Sequence, residues 1–307
     1  MRPLISADPY VLRANGRYYL YATAEENGVF QVRVSDDLLH WSAPKEIFRA
    51  NSDFWGKDCF WAPECHMIGG GYYLFFSANR KDSDVLESFA ITCVRCDTPD
   101  GDFEDFLHRP IFVADYPTID GNILIEDDHV YLYYSRCCFE HQVNGLEESW
   151  IYGVELKSDL TGIIGEPQLL LRPEQAWEDR SAPTTGRRWN EGSYILKEDG
   201  RYYIMYSANF YMERHYAMGY AVGMSPMGPF AKAAENPIAE CTEEITGTGH
   251  GCLVRTDEGL MAVYHGRTAA TGEARVGFAA PACVKEGKLS IDVHHAAMMM
   301  ESDQVHL

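Results

Sequence analysis

An ionisable residue stands at the head of each of five apolar or aromatic segments in this 307-residue chain. The five are Asp8, Glu64, Asp120, Glu191 and His250. An ionised carboxylate at the start of a buried strand costs free energy unless it is paired or used in chemistry. Clustered carboxylates can supply an acid and a base at once, because neighbouring charges push some of their pKa values upward.

The segments that follow these residues share one aromatic pattern, which makes them an internal repeat. The repeated segments are Arg17–Tyr21, Gly71–Phe75, His129–Tyr133, Arg201–Met205 and Gly259–Val263. Their equivalent central positions are 19, 73, 131, 203 and 261, so the intervals are 54, 58, 72 and 58 residues. Each segment follows a short turn such as Asn15-Gly16 or Asp199-Gly200, which predicts a β-hairpin.

A third strand is predicted after each hairpin, and helical periodicity is nearly absent. The predicted third strands are Phe30–Val34, Phe89–Arg95, Trp150–Leu156, Tyr216–Gly223 and Arg275–Ala279. Five antiparallel sheets of about 60 residues each account for the chain, which predicts an all-β fold, a five-bladed β-propeller. We expect one domain over residues 1–307. A β-sandwich is the alternative fold, but it would not require five similar units.

The five ionisable residues keep nearly the same register against the repeat. Asp8, Asp120 and His250 each lie 11 residues before their central position, whereas Glu191 lies 12 before it and Glu64 lies nine before it. The first strand of a propeller blade is innermost, so the five side chains should converge at one mouth of the central channel. One such residue alone is well explained as an exposed loop residue, but five in register are not.

Composition restricts the class of ligand. The formal net charge is −20, from 26 Lys and Arg against 46 Asp and Glu. Nucleic acids and anionic membranes are disfavoured as partners because their phosphates would be repelled. A neutral or cationic ligand is easier to accommodate. The sequence leaves the oligomeric state open.

A cytoplasmic location is expected from the start of the chain and from its cysteines. A patterned strand begins by residue 10 with no apolar leader before it, and no run reaches the roughly 18 apolar residues of a spanning helix. Nine cysteines with scattered spacing favour reduced thiols over a disulfide framework. Cys93 and Cys96 form a lone C-x-x-C, whose odd spacing on a strand points the two thiols to opposite faces.

Four short motifs, in order along the chain, carry a family resemblance. They are Ala7-Asp8-Pro9-Tyr10-Val11, Trp61-Ala62-Pro63-Glu64, Thr118-Ile119-Asp120-Gly121 and Asn190-Glu191-Gly192. The ordered set resembles glycoside hydrolase family 43, the five-bladed arabinofuranosidases, xylosidases and arabinanases. The resemblance extends from Asp8 to about Arg267. One departure is Gly121, where the family usually has a proline after the third-blade aspartate.

The resemblance implies a role for each acidic residue of the first, third and fourth blades. Asp8 corresponds to the general base, Asp120 to the residue that tunes pKa values and orients, and Glu191 to the general acid. These residue types suit inverting hydrolysis, in which one carboxylate activates water and a protonated carboxyl on the opposite face supplies the leaving group. The carboxyl groups of Asp8 and Glu191 should then be about 6.5–9.5 Å apart.

The resemblance also implies a cation near the fifth blade. The turn Gly247-Thr248-Gly249-His250-Gly251 resembles the family's histidine loop, in which the histidine faces a hydrated calcium or another cation on the channel axis. A buried core histidine is the alternative. These glycines do not form a dinucleotide loop, because the spacing is G-x-G-x-G and no βαβ unit surrounds it. No organic cofactor is expected.

Substrate binding is expected from three further residues. Trp61 is a candidate for stacking on a sugar face beside Glu64, although packing between blades is an alternative role. Arg267 is a candidate for contacting a site carboxylate or a sugar hydroxyl. Four more aromatic residues are possible pocket walls: Trp55, Phe60, Trp189 and Phe210. The segment Arg172–Arg188 is rich in charge and turn residues, so we expect a rim loop there.

The expected function is therefore exo-acting removal of arabinofuranosyl or xylosyl units from small plant-derived oligosaccharides. A related glycoside phosphorylase is an alternative, but it would need a basic phosphate cradle. The candidates for such a cradle are dispersed: Arg136, Arg187, Arg188 and Arg267. A propeller that binds glycans without catalysis is the third interpretation, and the three acidic residues argue against it.

Overall fold

The computed structural model describes residues 1–137 and 140–302, and its strands form five antiparallel units in chain order. Blade 1 contains Ala7–Ala14, Arg17–Thr23, Val29–Ser35 and Lys45–Arg49, and blade 2 contains Gly56–Ile68, Gly71–Arg80 and Phe89–Cys96. Blade 3 contains Thr118–Glu126, His129–Arg136, Leu146–Leu156 and Ile163–Leu171. Blade 4 contains Arg187–Glu198, Arg201–Ala208, Ala217–Gly223 and Phe230–Lys232. Blade 5 contains Thr246–Arg255, Leu260–Arg267, Val276–Lys285 and Lys288–Ile291.

The first strands of the five blades form a ring. Each contacts the first strands of both neighbouring blades, and the first strand of blade 5 contacts that of blade 1. The five repeated aromatic segments lie in second strands, as predicted, except that Gly259 directly precedes its strand. The fold is therefore the expected five-bladed β-propeller. In blade 2, among the described residues, one isolated bridge between Arg95 and Glu104 stands where the other blades have a fourth strand.

Hairpin turns between first and second strands follow the predicted chemistry. Both turn residues have positive φ at Asn15-Gly16, at Gly69-Gly70 and at Asp199-Gly200. A two-residue turn of this kind matches the right-handed twist of the strands that it joins, and Gly and Asn tolerate it best. The repeat is therefore encoded at each turn as well as in the aromatic strands.

Backbone hydrogen bonds close the ring. Residues 4–6 precede blade 1 and bond to blade 5, through Leu4 O with Gly277 N at 3.0 Å and Ser6 N with Arg275 O at 3.0 Å. A small sheet of Arg2–Pro3, Met300–Glu301 and His40–Trp41 joins both ends of the described chain to blade 1. The other short elements are strands Gln142–Val143 and Ala297–Met298, 3-10 helices Ala176–Asp179 and Val293–His295, and α-helix Ala182–Thr185.

Apolar side chains fill the spaces between blades. One cluster joins blades 1, 2 and 5, and includes Tyr21, Phe76 and Val263. Three others lie between blades 2 and 3, 3 and 4, and 4 and 5, and they include Leu132, Tyr206 and Tyr264 in turn. Burial of these large side chains stabilises the ring and holds the first strands in place around the channel.

The segment Arg172–Arg188 does more than form a rim. It carries Trp177 and Glu178, both buried, while Arg187 at its end borders the central cavity. No helix in the described residues is long and apolar enough to cross a membrane. Seven described cysteines are free thiols, including Cys93, whereas Cys137 is disulfide-bonded, so the expectation of reduced thiols does not hold at Cys137.

Candidate active site

A β-bulge interrupts the first strand of every blade at the same point of the repeat. Pairing with the second strand shifts between residues 7 and 10, 61 and 64, 119 and 122, 191 and 194, and 249 and 252. One residue of each bulge has positive φ: Asp8 at 53°, Ala62 at 46°, Asp120 at 56°, Gly192 at 57° and His250 at 44°. A bulge of this kind redirects side chains out of the regular alternation of a strand.

The bulges refine the register that was counted in the sequence. Asp8, Asp120 and His250 occupy equivalent positions, 11 residues before the central residue of their segments. In blade 4 the equivalent position is Gly192, so Glu191 stands directly before the bulge residue. In blade 2 the equivalent position is Ala62, so Glu64 follows the bulge instead of forming it. The counts of 12 and nine therefore reflect real differences in position.

A cavity of about 290 Å³ opens where the bulges meet. Five predicted site residues line it: Asp8, Trp61, Asp120, Glu191 and His250. The lining also includes aromatic and charged residues from blades 2, 4 and 5, namely Glu87, Arg187, Trp189, Phe210, Tyr211, Tyr216 and Arg275. Glu64 and Arg267 are not among the lining residues. The cavity thus brings together the three predicted catalytic carboxyl groups from three different blades.

Asp8 is surrounded by an arginine, two histidines and a hydroxyl. Arg275 Nη1 donates to Asp8 Oδ1 at 2.7 Å, and Thr23 Oγ1 donates to Oδ2 at 2.6 Å. The Nδ1 atoms of His250 and His265 lie 3.3 and 3.6 Å from Oδ1. Burial by itself would raise the pKa of Asp8, but Arg275, the two histidines and the Thr23 hydrogen bond together lower this pKa well below its ordinary value. Asp8 is therefore ionised at neutral pH.

Glu191 has the opposite environment. Its Oε1 accepts a 2.9 Å hydrogen bond from the Tyr216 hydroxyl, which is neutral. Burial raises the pKa of Glu191 well above its usual value, and the nearby charges of Asp120 and Asp8 raise it further. The Tyr216 hydrogen bond and Arg275 oppose this rise without cancelling it. Glu191 can therefore hold a proton under conditions in which Asp8 does not.

Asp120 is held by hydrogen bonds from blades 3 and 4. Its Oδ2 accepts hydrogen bonds from Gly192 N and Ser135 Oγ, both at 3.2 Å. Burial raises the pKa of Asp120, and His250 opposes that rise. A Cβ atom on Gly192 would lie 2.9 Å from the His250 ring, so only glycine lets the backbone after Glu191 approach blade 5 this closely.

Glu64 belongs to a buried network beside the cavity. Its Oε2 accepts a 2.7 Å hydrogen bond from Asn122 Nδ2 and lies 3.0 Å from His66 Nε2. Asn122 Oδ1 in turn accepts from Ile195 N at 2.9 Å, four residues after Glu191. Glu64 thus connects blade 2 through blade 3 to the strand that carries Glu191.

Arg275 makes the contact with a site carboxylate that the sequence suggested for Arg267. The Arg267 guanidinium donates to two backbone carbonyls, Tyr211 O at 2.9 Å and Glu273 O at 3.0 Å. Tyr211 itself lines the cavity, so Arg267 supports one of its walls. The Arg275 guanidinium also lies over the Tyr211 ring, 5.1 Å from the ring centre.

Aromatic side chains form two of the cavity walls. Trp61 packs on Phe89 with ring centres 4.6 Å apart, and the edge of Trp189 meets Phe210 at 5.2 Å. Arg187 lies 4.5 Å from the centre of the Phe210 ring. The other two predicted wall residues, Trp55 and Phe60, pack instead in the cluster that joins blades 1, 2 and 5.

The proposed phosphate-binding arginines are already occupied by protein acceptors. Arg136 pairs with Glu140 at 2.9 Å, Arg187 pairs with Glu147 at 3.3 Å, and Arg188 pairs with Glu148. These pairs are dispersed along blades 3 and 4 and the segment between them. They do not form the clustered basic cradle that a phosphorylase would need.

Sequence reasoning missed Arg275, Tyr216 and Thr23 as site residues. Arg275 and Tyr216 immediately precede the third strands of blades 5 and 4, and Thr23 ends the second strand of blade 1. Second and third strands run antiparallel, so these positions all lie at the end of the blade that carries the bulge. The register count that found the five first-strand residues would find these three if it were extended to strands two and three.

Comparison with known proteins agrees with this geometry. The model of "Glycosyl hydrolases family 43" matches residues 2–286. An extracellular exo-α-(1→5)-L-arabinofuranosidase of Streptomyces chartreusis is 29% identical over 274 residues, which are 85% of this chain and 80% of that protein.

Two solved structures show the same architecture. A thermostable family-43 glycoside hydrolase is 32% identical, with a TM-score of 0.84 over 95% of this chain and 96% of that one. An endo-1,4-β-xylanase of Bacteroides thetaiotaomicron is 29% identical, with a TM-score of 0.81 over 98% of both chains. This protein therefore belongs to glycosyl hydrolase family 43 and is a glycoside hydrolase built on a five-bladed β-propeller.

Proposed function

We propose that this enzyme is an inverting, exo-acting glycosidase that releases α-L-arabinofuranosyl or β-D-xylosyl units from plant-derived oligosaccharides. The observation that carries the proposal is the opposite displacement of two carboxyl pKa values in one cavity, downward in Asp8 and upward in Glu191. Two titratable groups whose environments separate their pKa values mark the base and the acid of such a site.

The mechanism assigns one proton transfer to each of these residues. Ionised Asp8 takes a proton from the water that attacks the anomeric carbon. Protonated Glu191 gives its proton to the glycosidic oxygen as that bond breaks. Attack and departure occur on opposite faces of the sugar, so the anomeric configuration inverts. Asp120 raises the pKa of Glu191 through its charge and orients the adjacent backbone through Gly192 N–H.

Cavity size and relatives favour exo action on pentosides. A cavity of about 290 Å³ is at the lower limit for small-molecule sites, which favours one terminal sugar over a long glycan. The Streptomyces relative is named as an exo-arabinofuranosidase. Endo cleavage is the second candidate, because one solved relative is named as an endo-xylanase. Chromatography of early products from linear arabinan or xylan separates the two, since exo action releases monosaccharide from the start.

Of the three predicted substrate-binding residues, one is proposed to contact the sugar directly and two to act through neighbouring residues. Trp61 lines the cavity and offers its indole face to a sugar ring. Glu64 acts through Asn122 on the strand that carries Glu191. Arg267 acts through Tyr211, whose backbone carbonyl it binds.

We also propose that a hydrated cation, such as calcium, binds beside His250. The side chains beside His250 suit only a loosely held ion. Asp8 is already paired with Arg275. Within residues 1–137 and 140–302, no group of three His, Cys, Asp or Glu side chains could hold a metal. Such an ion would keep most of its water and supply positive charge near the carboxyl groups. Metal analysis of the purified enzyme before and after chelation tests this. Absence of any bound metal from the active enzyme would contradict it.

We propose a cytoplasmic location for this enzyme. Seven free thiols support a reducing compartment, whereas the bonded Cys137 and the extracellular Streptomyces relative point the other way. Fractionation of the producing cells, with an antibody against this protein, distinguishes the two.

The test of the roles compares two variants on two substrates. On a natural disaccharide, both Glu191→Ala and Asp8→Ala should lose about 10²–10⁴-fold in kcat/KM. On a 4-nitrophenyl glycoside, whose leaving group needs little protonation, Glu191→Ala should lose less than about tenfold, whereas Asp8→Ala should lose as much as before. Glu258→Ala, at an exposed hairpin, is the matched control and should keep wild-type rates.

Equal losses for the two variants on both substrates would refute the role assignment. NMR of the first-formed anomer tests inversion directly, and retention of configuration would refute the mechanism. A requirement for phosphate would favour the phosphorylase alternative. A panel of aryl pentosides identifies the glycone, and no turnover of any of them would leave the glycan-binding alternative in its place.

A further inference from the structure

Two buried rings lie between the candidate base and the candidate acid. Tyr216 and His265 stack with their centres 5.8 Å apart and their planes 12° from parallel. Both side chains are fully buried. Tyr216 precedes the third strand of blade 4, and His265 lies in the second strand of blade 5. The stack therefore joins two neighbouring blades at the depth of the catalytic carboxyl groups.

Each ring of the stack holds a different carboxyl residue. The Tyr216 hydroxyl donates to Glu191 Oε1 at 2.9 Å. The backbone N–H of Asp8 donates to His265 Nδ1 at 3.2 Å. Because Nδ1 accepts this hydrogen bond, the imidazole proton must lie on Nε2. Asp8 has φ of 53°, a conformation that a non-glycine residue adopts only when its surroundings enforce it, and the hydrogen bond to His265 is one such constraint.

The backbone of blade 5 makes room for the stack. Gly249 pairs with His265 across the first two strands of the blade. A Cβ atom on Gly249 would lie 2.2 Å from the Tyr216 ring, so any side chain there would displace the tyrosine. Gly249 has an ordinary φ, and the reason for glycine at this position is therefore the close approach of the ring.

Simple packing accounts poorly for this arrangement. Tyr264, the residue next to His265, is also buried and stacked, on Phe278 at 6.0 Å, yet its hydroxyl has no hydrogen-bond partner among the described residues. In the stack of Tyr216 and His265, by contrast, each ring directs one polar atom at one of the two carboxyl residues, through the Tyr216 hydroxyl and His265 Nδ1. The other ring nitrogen, His265 Nε2, is buried without a hydrogen-bond partner among the described residues, so the polar contact of this imidazole is with Asp8.

We propose that the Tyr216–His265 stack is a spacer that fixes Glu191 and Asp8 relative to each other, with Tyr216 as a positioning residue for the acid and His265 as a positioning residue for the base. This inference rests on the proposed roles of Asp8 and Glu191. Inverting hydrolysis depends on the separation of its two carboxyl groups, because a water molecule must fit between the base and the sugar. A rigid pair of rings keeps that separation constant while substrates enter and leave.

The test uses phenylalanine substitutions, each of which keeps an aromatic ring at its position in the stack. Tyr216→Phe removes only the hydrogen bond to Glu191, so kcat/KM should fall about tenfold on a natural disaccharide and less than about threefold on a 4-nitrophenyl glycoside. His265→Phe removes the acceptor for Asp8 N–H and the imidazole beside the Asp8 carboxylate. Because both contacts belong to the base, kcat/KM should fall by about tenfold or more, equally on both substrates. Tyr264→Phe is the matched control, since its hydroxyl is unpartnered, and it should keep wild-type rates on both.

Three results would overturn the inference: an equal loss on both substrates for Tyr216→Phe, a loss confined to the disaccharide for His265→Phe, or wild-type rates for either variant. If a phenylalanine variant does not fold, Gly249→Ala takes its place. Its added Cβ displaces the stack and should lower kcat/KM on both substrates, and unchanged rates would overturn the spacer. Asp8→Ala and Glu191→Ala are assayed in parallel. If these two variants lose kcat/KM equally on the disaccharide and on the 4-nitrophenyl glycoside, the proposed function is refuted. If they differ as expected and only the variants of Tyr216 and His265 give a contrary result, only the spacer is refuted.

Discussion

Arg275 Nη1 donates a 2.7 Å hydrogen bond to Asp8 Oδ1 and is closer to it than the imidazole nitrogens of His250 and His265, at 3.3 and 3.6 Å. Against the effect of burial, Arg275 makes the largest contribution that lowers the pKa of Asp8. Glu191, in the same cavity, receives its hydrogen bond from a neutral hydroxyl. Arg275 thereby keeps Asp8 ionised, whereas Glu191 in the same cavity retains its proton.

Replacing Arg275 with methionine should move the pH profile of activity upward. The pKa of Asp8 rises without the guanidinium, and a base works only when ionised, so the acidic limb of kcat/KM should shift by about 1–2 pH units to higher pH. The basic limb, which reports Glu191, should move in the same direction, because Arg275 also lowers the pKa of Glu191.

The measurement is kcat/KM against pH, which reports the free enzyme. Arg17→Met is the matched control, because Arg17 pairs with Asp36 at 2.9 Å on the surface, and its profile should coincide with the wild type. An Arg275→Met profile that keeps its acidic limb would contradict the assignment of that limb to Asp8.

Replacing Glu191 with glutamine should stabilise the fold while removing activity. The folded-state pKa of Glu191 is raised, so between the unfolded and folded pKa values the folded protein holds a proton that the unfolded chain has lost. Stability therefore falls as pH rises through that interval, and the cost persists at higher pH. A neutral amide avoids this cost, and gains of about 0.5–2 kcal/mol are usual for such changes.

Thermal midpoints at pH 4 and pH 8 check this expectation. The advantage of Glu191→Gln over wild type should be larger at pH 8, because the unfolded chain has then lost the proton of Glu191 and the cost to the folded protein has grown. Glu258→Gln, at an exposed position, should show no such dependence on pH. An advantage that is equal at both pH values would mean that the Glu191 carboxyl is not the source.

Replacing Gly192 with alanine should disable the site through a steric clash. The added Cβ would lie 2.9–3.1 Å from atoms of the His250 ring, so the backbone beside Glu191 must move. A displacement of about 1 Å at a catalytic group costs about 10²-fold in rate, and we expect a loss of kcat/KM of that size.

Gly200→Ala separates this clash from backbone strain. Gly200 also has positive φ, 71° against 57° for Gly192, but a Cβ there would meet nothing within 4 Å. Gly200→Ala should therefore lose about 1 kcal/mol of stability and no activity. Similar activity in both alanine variants would show that the contact with His250 is unimportant.

Removing Lys232 should destabilise the fold through the charge left behind. Lys232 Nζ bonds to Glu178 and, at 2.8 Å, to Asn190 Oδ1 directly before Glu191, and both Lys232 and Glu178 are almost completely buried. Lys232→Met leaves the Glu178 carboxylate unpaired, which should cost about 3–5 kcal/mol.

Urea unfolding of single and double variants checks this. Lys232→Met combined with Glu178→Gln should recover part of the loss, because the unpaired charge is then absent. Arg13→Met is the control for a surface pair, since Arg13 lies 2.6 Å from the exposed Asp257, and it should cost less than about 1 kcal/mol. A loss in Lys232→Met as small as that would exclude a tightly coupled buried pair.

The fold was predictable because its information is local and repeated. Each hairpin turn, such as Asn15-Gly16, and each aromatic strand can be recognised within a few residues, and five copies of the pattern leave few other folds. The segment Arg172–Arg188 was harder to interpret. Its charges suggested an exposed loop, but Glu178 is buried there by partners on blade 4, which are distant in sequence.

The sequence by itself determined the five blades, the registered residues Asp8, Asp120 and Glu191, and their family. Only the tertiary structure decided which arginine meets Asp8, because Arg275 and Asp8 are 267 positions apart and come together when blade 5 closes on blade 1. It also placed Glu64 beside the cavity instead of on its lining. Register along a strand is a local property, whereas a pKa depends on charges and burial contributed by every blade around the channel.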